Sequence, residues 1–351
     1  LEESGGAQYI SDLAISSAYS ENNLIAYAQV VKDKHTLREI KQAGIEIAAL
    51  PLTKKTLSSD EILNEAEEKL FNLHKNAEEK TGMRHANAAA SAVFKRMEIN
   101  GLNEGALLGI STGFKELDKV TSGLQAGELT IIAARPSMGK TALGVNIAEH
   151  VAIREGKTVL FHSMEMNEEA IGFRLYSSLT GINQENLKHA RLRDEDWTRI
   201  NQATDDISKS KLHFDESSSL TPLDVRSTAR KIAFKYPVDL IIVDYLQLMH
   251  PVTKAENKNL EVSEISKSLK AIAKDLKIPI IALAQLNRSV ENRPNKRPVL
   301  SDLRDSGSIE QDADVIILIY RDEYYDKETR EPGVTELIVA KNRNGETKTL
   351  K

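Results

Sequence analysis

AARPSMGKTA, at Ala133–Ala142, follows directly on an apolar run at residues 129–132. Within it, Gly139-Lys140-Thr141 matches the end of the phosphate-binding pattern G-x-x-x-x-G-K-[ST], between a predicted strand and a predicted helix. Amides at a helix N-terminus cradle phosphates, Lys140 adds a positive charge, and Thr141 can ligate Mg²⁺. The stretch therefore predicts a nucleotide site, formed by Ala134, Arg135, Pro136, Ser137, Met138, Gly139, Lys140, Thr141 and Ala142.

Two residues of this loop depart from the usual pattern. Ala134 stands where the first glycine is expected, and Pro136 lies inside the loop. A methyl group at the end of a strand is tolerated if its φ is negative. Pro136 has no N–H, but the donors nearest the phosphates belong to residues 138–141. Neither departure excludes a working site.

The bulk composition is that of a globular protein with room for two domains. The chain has 351 residues, of which 40% are hydrophobic and 28% charged, and it has no cysteine. Disulfides and thiolate metal sites are therefore excluded, no apolar run is long enough to span a bilayer, and we expect a cytoplasmic protein with no membrane partner. The net charge of −5 means that any nucleic-acid contact must come from local loops. Because the chain begins at Leu1 rather than Met, we expect a fragment.

The chain divides by pattern into three parts. Residues 1–84 are predicted to be helical, residues 85–108 to form a linker helix and linker, and residues 109–351 to alternate strands with helices. Apolar strands such as VDLIIVD at 238–244 are typical of a parallel sheet covered on both faces. Trp197 is predicted to anchor an amphipathic helix in the core. Strands are predicted at 128–134, 158–163, 211–215, 238–244, 278–284, 313–319, 334–341 and 345–350.

Three polar residues follow the predicted strand ends, where ligands of open α/β sheets gather. Asp244 is the expected carboxylate of the Mg²⁺ shell. Glu165 could polarise the attacking water, although a first-turn acid can instead complement a helix dipole. Gln285 could sense the γ-phosphate or merely satisfy local backbone, and its position alone does not choose between these roles.

The C-terminal hairpin carries two further basic candidates. Asn344-Gly345 predicts a type I′ turn. Lys341 and Arg343 near this turn could be solvated surface residues, or an arginine on a rigid hairpin could reach a phosphate in a neighbouring subunit. Spacing leaves both alternatives open.

Two basic loops follow strand ends on one side of the predicted sheet. Such loops are more often solvated than bound to DNA, yet two on one face of an ATPase favour contacts to a nucleic-acid backbone. Neither contains an aromatic residue for stacking on bases. The candidate DNA contacts are Lys254 and Lys258 in the first loop, and Arg293, Lys296 and Arg297 in the second.

Six motifs together resemble the motor domain of DnaB-type replicative helicases. They cover residues 109–351 in the order expected for that family, and residues 22–40 are similar to the helical hairpin of its N-terminal domain, whose beginning the chain would then lack. The motifs are STGFKELDKVTSGLQAGELTIIAARPSMGKTALGVNIAEH, SMEM, IIVDYLQLM, ALAQLNRSVE, SDLRDSGSIEQDADVIILIYRDEYY and VAKNRNG.

The resemblance implies a RecA-like P-loop NTPase domain with a mainly parallel central sheet, preceded by a helical region and a linker helix that docks on the next subunit. It implies a homohexameric ring that uses ATP or another NTP with Mg²⁺ to move on single-stranded DNA and unwind forked DNA. It also assigns Lys341 and Arg343 to the adjacent subunit's site and places Arg174 near the phosphates. The DNA channel loop would contain Arg304, Asp305 and Gly307, with Asp305 standing where the family commonly has glutamate.

Primase and a helicase loader are the protein partners that the resemblance implies. A RecA-like recombinase or regulatory ATPase without unwinding activity shares the phosphate loop and Asp244, so it is the alternative. A small-molecule P-loop kinase would need no arginine from a neighbouring chain. A scaffold with an inactive nucleotide site is disfavoured because Lys140, Thr141, Glu165 and Asp244 are all present.

Overall fold

The computed structural model describes residues 21–53, 107–251 and 257–351, together with isolated positions between 59 and 97. Side chains at 21–29, 32 and 304–308 are outside this description. The chain forms two compact units, Leu1–Glu98 and Ile99–Lys351. The predicted domain limits at 84/85 and 108/109 stay predictions.

The first unit is helical wherever it is described. Helix α1 spans Glu21–Thr53, and the described positions within 59–69 and 86–97 are also helical. Ala43 and Leu50 are buried, and Lys69 Nζ lies 2.8 Å from Glu46 Oε2. The rest of the predicted helical region lies outside the described residues.

The second unit is built around one eight-stranded sheet. In chain order its strands and α-helices are α2 (Lys115–Thr121), β1 (Leu129–Ala134), α3 (Lys140–Glu149), β2 (Thr158–Ser163), α4 (Glu168–Thr180), α5 (Gln184–Lys188), α6 (Asp194–Lys209), β3 (Lys211–Asp215), α7 (Pro222–Ala233), β4 (Leu240–Asp244), α8 (Lys258–Leu276), β5 (Ile280–Gln285), α9 (Gly307–Asp312), β6 (Val315–Tyr320), α10 (Asp322–Tyr325), β7 (Glu336–Asn342) and β8 (Lys348–Leu350). A π-helix at His150–Arg154 extends α3, and 3₁₀ helices lie at Leu246–Leu248, Arg288–Asn292 and Leu300–Ser306.

The predicted mainly parallel sheet is confirmed. The strand order is β3-β2-β4-β5-β1-β6-β7-β8, and all neighbours from β3 to β6 pair in parallel. Only β7 and β8 join antiparallel. Every strand overlaps its predicted range. For β1, β2, β4, β5 and β6 the reason is that short runs of β-branched and aliphatic residues have few other ways to bury both faces. The short helices α2, α5, α9 and α10 were not predicted, since they are too short for a periodic pattern.

Apolar side chains pack on both faces of the sheet. In β1, Ile131 belongs to the core beneath α7 and α8, whereas Ile132 belongs to the core beneath α3 and α4. Leu269 of α8 and Ile147 of α3 are essentially inaccessible to solvent in these two layers. The three-layer arrangement therefore explains why the strands are apolar throughout rather than alternating.

The structure contradicts the predicted type I′ turn. Both central residues of such a turn need a positive φ, and neither Asn344 nor Gly345 has one. Five residues separate β7 from β8. Gly345 is required for space instead, because a Cβ there would lie 2.5 Å from Asn342 Nδ2 and 3.0 Å from the Val120 carbonyl oxygen.

The prediction for Trp197 is also wrong. Its side chain is 51% exposed on α6. The inward stripe of this helix runs through Ile200, Ala203 and Ile207, and at 3.6 residues per turn Trp197 lies about 90° away from its centre. An amphipathic pattern identified the helix but not the direction of its largest side chain.

A capping box stabilises the start of α7 and gives a stability prediction. Thr221 Oγ1 accepts a hydrogen bond from the Asp224 amide, and Asp224 Oδ2 accepts one from the Thr221 amide at 2.8 Å. Thr221→Ala should lower the free energy of unfolding by about 1 kcal/mol, measured by urea denaturation. Ser219→Ala, in the exposed loop just before the helix, is the control, and equal shifts in both variants would contradict the capping role.

Candidate nucleotide-hydrolysis site

Four parallel strands bring the phosphate loop, Glu165, Asp244 and Gln285 to one edge of the sheet. Ser163 at the end of β2 is level with Asp244 at the end of β4, and Ala134 at the end of β1 is level with Gln285 at the end of β5. The phosphate loop leaves β1 at this edge. Parallel pairing therefore gathers residues that are far apart in sequence.

The phosphate loop has the backbone expected of an anion cradle. Ser137 and Gly139 have φ angles of +66° and +98°, so the loop requires left-handed conformations just before α3 begins at Lys140. Ala134 is part of β1 and is not among the residues with positive φ, so its methyl group costs no backbone strain. The first amides of α3 have no carbonyl of a preceding turn to bind. They are therefore available to phosphate oxygens.

The charged groups of the site are within contact distance of one another. Thr141 Oγ1 donates a hydrogen bond to Asp244 Oδ2 at 2.7 Å. Lys140 Nζ lies 3.1 Å from Asp244 Oδ1, 3.3 Å from Glu165 Oε2 and 3.9 Å from the ring centre of Tyr245. Burial, reinforced by the charges of Glu165 and Asp244, raises the pKa of the Tyr245 phenol. These four residues converge as predicted, and Tyr245 joins them unpredicted.

Asp244 has the features of a cation ligand. Its side chain is fully buried, and although Oδ1 lies near the Lys140 ammonium, it has no aligned hydrogen bond among the described residues. A buried carboxylate oxygen without a hydrogen bond is costly unless a cation or water satisfies it. Thr141 and Asp244 therefore fit Mg²⁺, which typically uses one or two protein ligands together with water and phosphate oxygens.

Arg135 differs from the other loop residues because its side chain points away from the cradle. Its Nε donates to Glu291 Oε1 at 2.8 Å, and its Nη1 donates to the Leu286 carbonyl at 2.8 Å. The guanidinium is almost entirely buried. Arg135 thus ties the phosphate loop to the segment that follows β5, and only its backbone faces the predicted phosphate site. Glu291 was not predicted to take part.

Gln247 is a second unpredicted contributor. Its Oε1 accepts from the Gln285 amide at 3.1 Å, and its Nε2 donates to the Gln285 carbonyl at 2.9 Å. The paired register of β4 and β5 ends at Val243 and Ala282, before Gln285 is reached. The Gln247 amide therefore replaces the missing sheet bonds. The Gln285 side-chain amide has no hydrogen bond within the described part of the chain, which leaves it available to a ligand.

Arg174 lies beside the start of α3 but does not contact the phosphate loop in this structure. It lines a cavity of about 260 Å³ between α3, α4 and α5, together with Ala142, Asn146 and Gln184. Its Nε is buried without a hydrogen bond among the described residues. The cavity adjoins the predicted nucleotide residue Ala142.

Lys341 and Arg343 lie at the opposite edge of the sheet. β7 runs antiparallel to β6, so its last residue, Asn342, pairs with Val315 at the start of β6. Arg343 Nη1 donates to Asp314 Oδ1 at 3.0 Å, and Lys341 Nζ donates to the Ala313 carbonyl at 2.6 Å. Burial, followed by the charge of Arg343, lowers the pKa of the Lys341 ammonium.

The length of β1 separates this edge from the chain's own phosphate loop. Six residues of strand span about 17 Å, which is more than an arginine side chain can reach. Arg343 therefore does not reach the phosphate loop of its own chain.

Three of the predicted DNA contacts are engaged within the chain. Arg293 Nη2 donates to Asp302 Oδ2 at 2.6 Å, Arg297 forms two hydrogen bonds with buried Glu336, and Lys296 Nζ lies 4.7 Å from the Tyr325 ring centre. These contacts hold the loop after β5 against the sheet and offset much of its positive charge.

The remaining predicted DNA contacts are only partly described. Lys258 is exposed in the first turn of α8, 4.0 Å from Glu261 Oε2. Lys254 lies outside the described residues. The backbone at Arg304, Asp305 and Gly307 crosses from a 3₁₀ helix into α9, and their side chains lie outside the description.

Comparison with known proteins gives matches over nearly the whole chain. The model of the DnaB-like helicase C terminal domain matches residues 109–351. The replicative DNA helicase DnaB of Pasteurella multocida is 43% identical over 98% of this chain and 75% of its own length. The DnaB of Geobacillus stearothermophilus is 38% identical over 100% of this chain and 77% of its own.

A solved structure of a DnaB-like replicative helicase superposes with a TM-score of 0.77 at 32% identity, covering 99% of this chain and 80% of that one. The sequence matches therefore extend over both the helical unit and the sheet unit. The chain belongs to the DnaB family of replicative DNA helicases.

Proposed function

We propose that this chain is one subunit of a homohexameric, NTP-driven replicative helicase that moves on single-stranded DNA and unwinds the fork. The observation that carries the proposal is the division of catalytic groups between two edges of one sheet. Lys140, Thr141, Glu165 and Asp244 lie at the carboxyl edge, and Arg343 lies at the amino edge. A site that needs both sets requires two chains, as in a ring with head-to-tail interfaces.

Each group has a defined part in hydrolysis. The α3 amides and Lys140 bind the phosphates of ATP or another NTP, and Thr141 and Asp244 hold Mg²⁺. Bound Mg²⁺ would neutralise charge developing on the β- and γ-phosphate oxygens. Glu165 orients the attacking water and accepts its proton, while Gln285 senses the γ-phosphate. Arg174, beside Ala142, completes the nucleotide contacts.

Arg343 and Lys341 would act on the site of the adjacent subunit. An arginine supplied in trans stabilises the charge of the phosphoryl-transfer transition state. Lys341 accompanies it from the same strand end. In the neighbouring chain, Arg343 and the DNA loop belong to one domain. Hydrolysis at the interface would therefore also shift that chain's DNA loop.

DNA contact is assigned to the loops that project from this domain. Arg304, Asp305 and Gly307 form the principal contact, and Lys254 and Lys258 add positive charge. Arg293, Lys296 and Arg297 contribute mainly by supporting the loop, because each already has an internal partner. A ring needs positive charge only in its channel, so a net charge of −5 is compatible with this function.

The helical N-terminal unit is the proposed docking region for primase and a loader. The solved DnaB-like helicase was described with its interactions with primase, which supports a primase partner here. Among the described residues, no helix is long and apolar enough to cross a membrane. We place the protein in the cytoplasm because replicating bacterial or phage DNA is there.

An unwinding assay distinguishes the proposed helicase from the alternative, a RecA-like ATPase without helicase activity. With ATP and Mg²⁺, the wild-type protein should displace the labelled strand of a forked duplex, and Lys140→Ala should not, because it removes the charge that binds the phosphates. Gel analysis of the displaced strand measures the outcome. ATP hydrolysis stimulated by single-stranded DNA without any displacement would favour the alternative.

Glu165→Gln should separate binding from chemistry. The amide cannot accept the proton of water, so kcat should fall about 100-fold or more while the affinity for a fluorescent nucleotide is retained. Glu168→Gln is the matched control, because Glu168 is an exposed acid in the first turn of α4. Equal loss of kcat in both variants would remove Glu165 from the catalytic set.

Mixing two inactive variants tests whether the site is shared. Lys140→Ala chains keep Arg343, and Arg343→Ala chains keep the phosphate loop, so a one-to-one mixed ring should recover ATPase at up to about a quarter of its interfaces. Steady-state ATPase of the mixture, compared with each variant alone, measures this. No recovery would argue against an interfacial site.

A further inference from the structure

Asp314 forms the only described carboxylate contact of Arg343 and is almost wholly buried, at 3% exposure. It lies just before β6, at the amino edge of the sheet. Oδ2 accepts from the Leu129 amide at 2.9 Å and also binds Lys270 Nζ, while Oδ1 accepts from Arg343 Nη1 at 3.0 Å. The Asp314 carbonyl also accepts from the Arg343 amide at 2.9 Å. Both the backbone and the side chain of Arg343 are thus held by one residue.

The contact leaves most of the guanidinium free to bind elsewhere. The Arg343 side chain is 55% exposed, and within the described part of the chain Nη1 is the one guanidinium nitrogen that makes a hydrogen bond. A guanidinium has five N–H donors in a fixed plane. One edge can therefore be fixed by Asp314 while the others face outward toward an anion.

Lys270 keeps this arrangement cationic. Its Nζ binds both Asp314 and the Gly127 carbonyl, so one carboxylate faces two positive charges. Glu128 and Lys341 also interact electrostatically with Asp314 and Arg343, so the three cations Lys270, Lys341 and Arg343 face the two carboxylates Asp314 and Glu128, a formal charge of 3 − 2 = +1. Asp314 consequently orients Arg343 without neutralising the site. An arginine paired with a single carboxylate and no second cation would have its charge neutralised.

Fixing the side chain in advance lowers the cost of binding. A free arginine side chain loses rotamer entropy when it is immobilised. An arginine already held in the right direction avoids part of that cost at the moment a phosphate arrives. The neighbouring residue Lys341 is held similarly, on carbonyls at the end of α9.

We infer that Asp314 is the positioning residue of Arg343, holding its guanidinium in the orientation in which it reaches the nucleotide phosphates of the adjacent subunit. This inference rests on the proposed function, in which Arg343 acts in trans. The competing explanation is that Asp314 only joins the start of β6 to β1, through Leu129, and to α8, through Lys270. The two explanations predict different defects when Asp314 is changed. The positioning role predicts loss of the Arg343 function with an intact phosphate loop, and the structural role predicts damage to the phosphate loop itself.

Asp314→Asn tests the inference because it removes the charge but keeps an acceptor of similar size. We expect kcat to fall about tenfold or more and the KM for nucleotide to change less than about threefold, since ground-state binding remains with Lys140 and Thr141. Asp312→Asn is the control. Asp312 lies two residues earlier and binds Ser266 instead of Arg343.

The ATPase activity of mixed subunits distinguishes a positioning role of Asp314 from a structural one. An Asp314→Asn chain should retain a working phosphate loop, so mixing it with Lys140→Ala chains, which retain a correctly held Arg343, should restore ATPase to the level of the Arg343→Ala mixture. If Asp314 serves only the fold, its loss would disturb β1 and the loop that β1 leads into. The mixture would then stay inactive, and the inference would be overturned.

Two further measurements keep the outcomes distinct. If the Arg343→Ala and Lys140→Ala mixture itself fails to recover, the proposed interfacial site is wrong, irrespective of Asp314. If Asp314→Asn lowers the thermal unfolding midpoint strongly, Asp314→Glu is used, which keeps a carboxylate for Lys270 but displaces it from Arg343. Failure of both Asp314 variants to bind fluorescent nucleotide would show that the carboxylate serves the fold, and this too would overturn the inference.

Discussion

Parallel pairing of β1 with β5 and β6 is the constraint on which the rest of this domain depends. Almost every backbone group of a strand buried on both faces finds its partner in the sheet, because no solvent reaches it; side chains take over only at strand ends, as Gln247 does at Gln285. The strands from β3 to β6 are consequently held in one direction. Their carboxyl ends must then meet at one edge, whatever loops connect them.

This constraint divides the chemistry in two. The phosphate loop, Glu165 and Asp244 lie at the carboxyl edge, while the antiparallel return of β7 brings Lys341 and Arg343 to the amino edge. The groups cannot meet within one chain because the length of β1, about 17 Å, lies between them. Under the proposed function, this division would make hydrolysis depend on the assembly of neighbouring chains.

The residues of the candidate site are held in place by side-chain contacts with residues outside it. Arg135 anchors the phosphate loop to Glu291, Gln247 clamps the backbone of Gln285, and Asp314 holds Arg343. In each case a polar side chain satisfies groups that would otherwise be buried without partners, so the arrangement is enforced by the cost of leaving them unpaired. None of these partnerships can be predicted from spacing, since the partners are separated by 29 to 156 residues.

Local patterns were nevertheless sufficient for much of the domain. Apolar runs identified all eight strands, and the strand–loop–helix context of Gly139-Lys140-Thr141 identified the phosphate loop, because both depend on neighbours in sequence. The type I′ turn and the burial of Trp197 were predicted wrongly, since a turn's φ angles and a helix's rotation respond to packing that the sequence pattern does not contain.

The sequence by itself determined the strands, the phosphate loop and the family resemblance, because these are encoded in contiguous residues whose hydrogen bonds and hydrophobic faces are local. Only the tertiary structure decided that the Arg135 side chain binds Glu291 and the Leu286 carbonyl, that basic residues after β5 have internal partners, and that Arg343 lies an entire strand away from its own phosphate loop. Those outcomes depend on which distant groups share a buried space, and burial is a property of the folded chain alone.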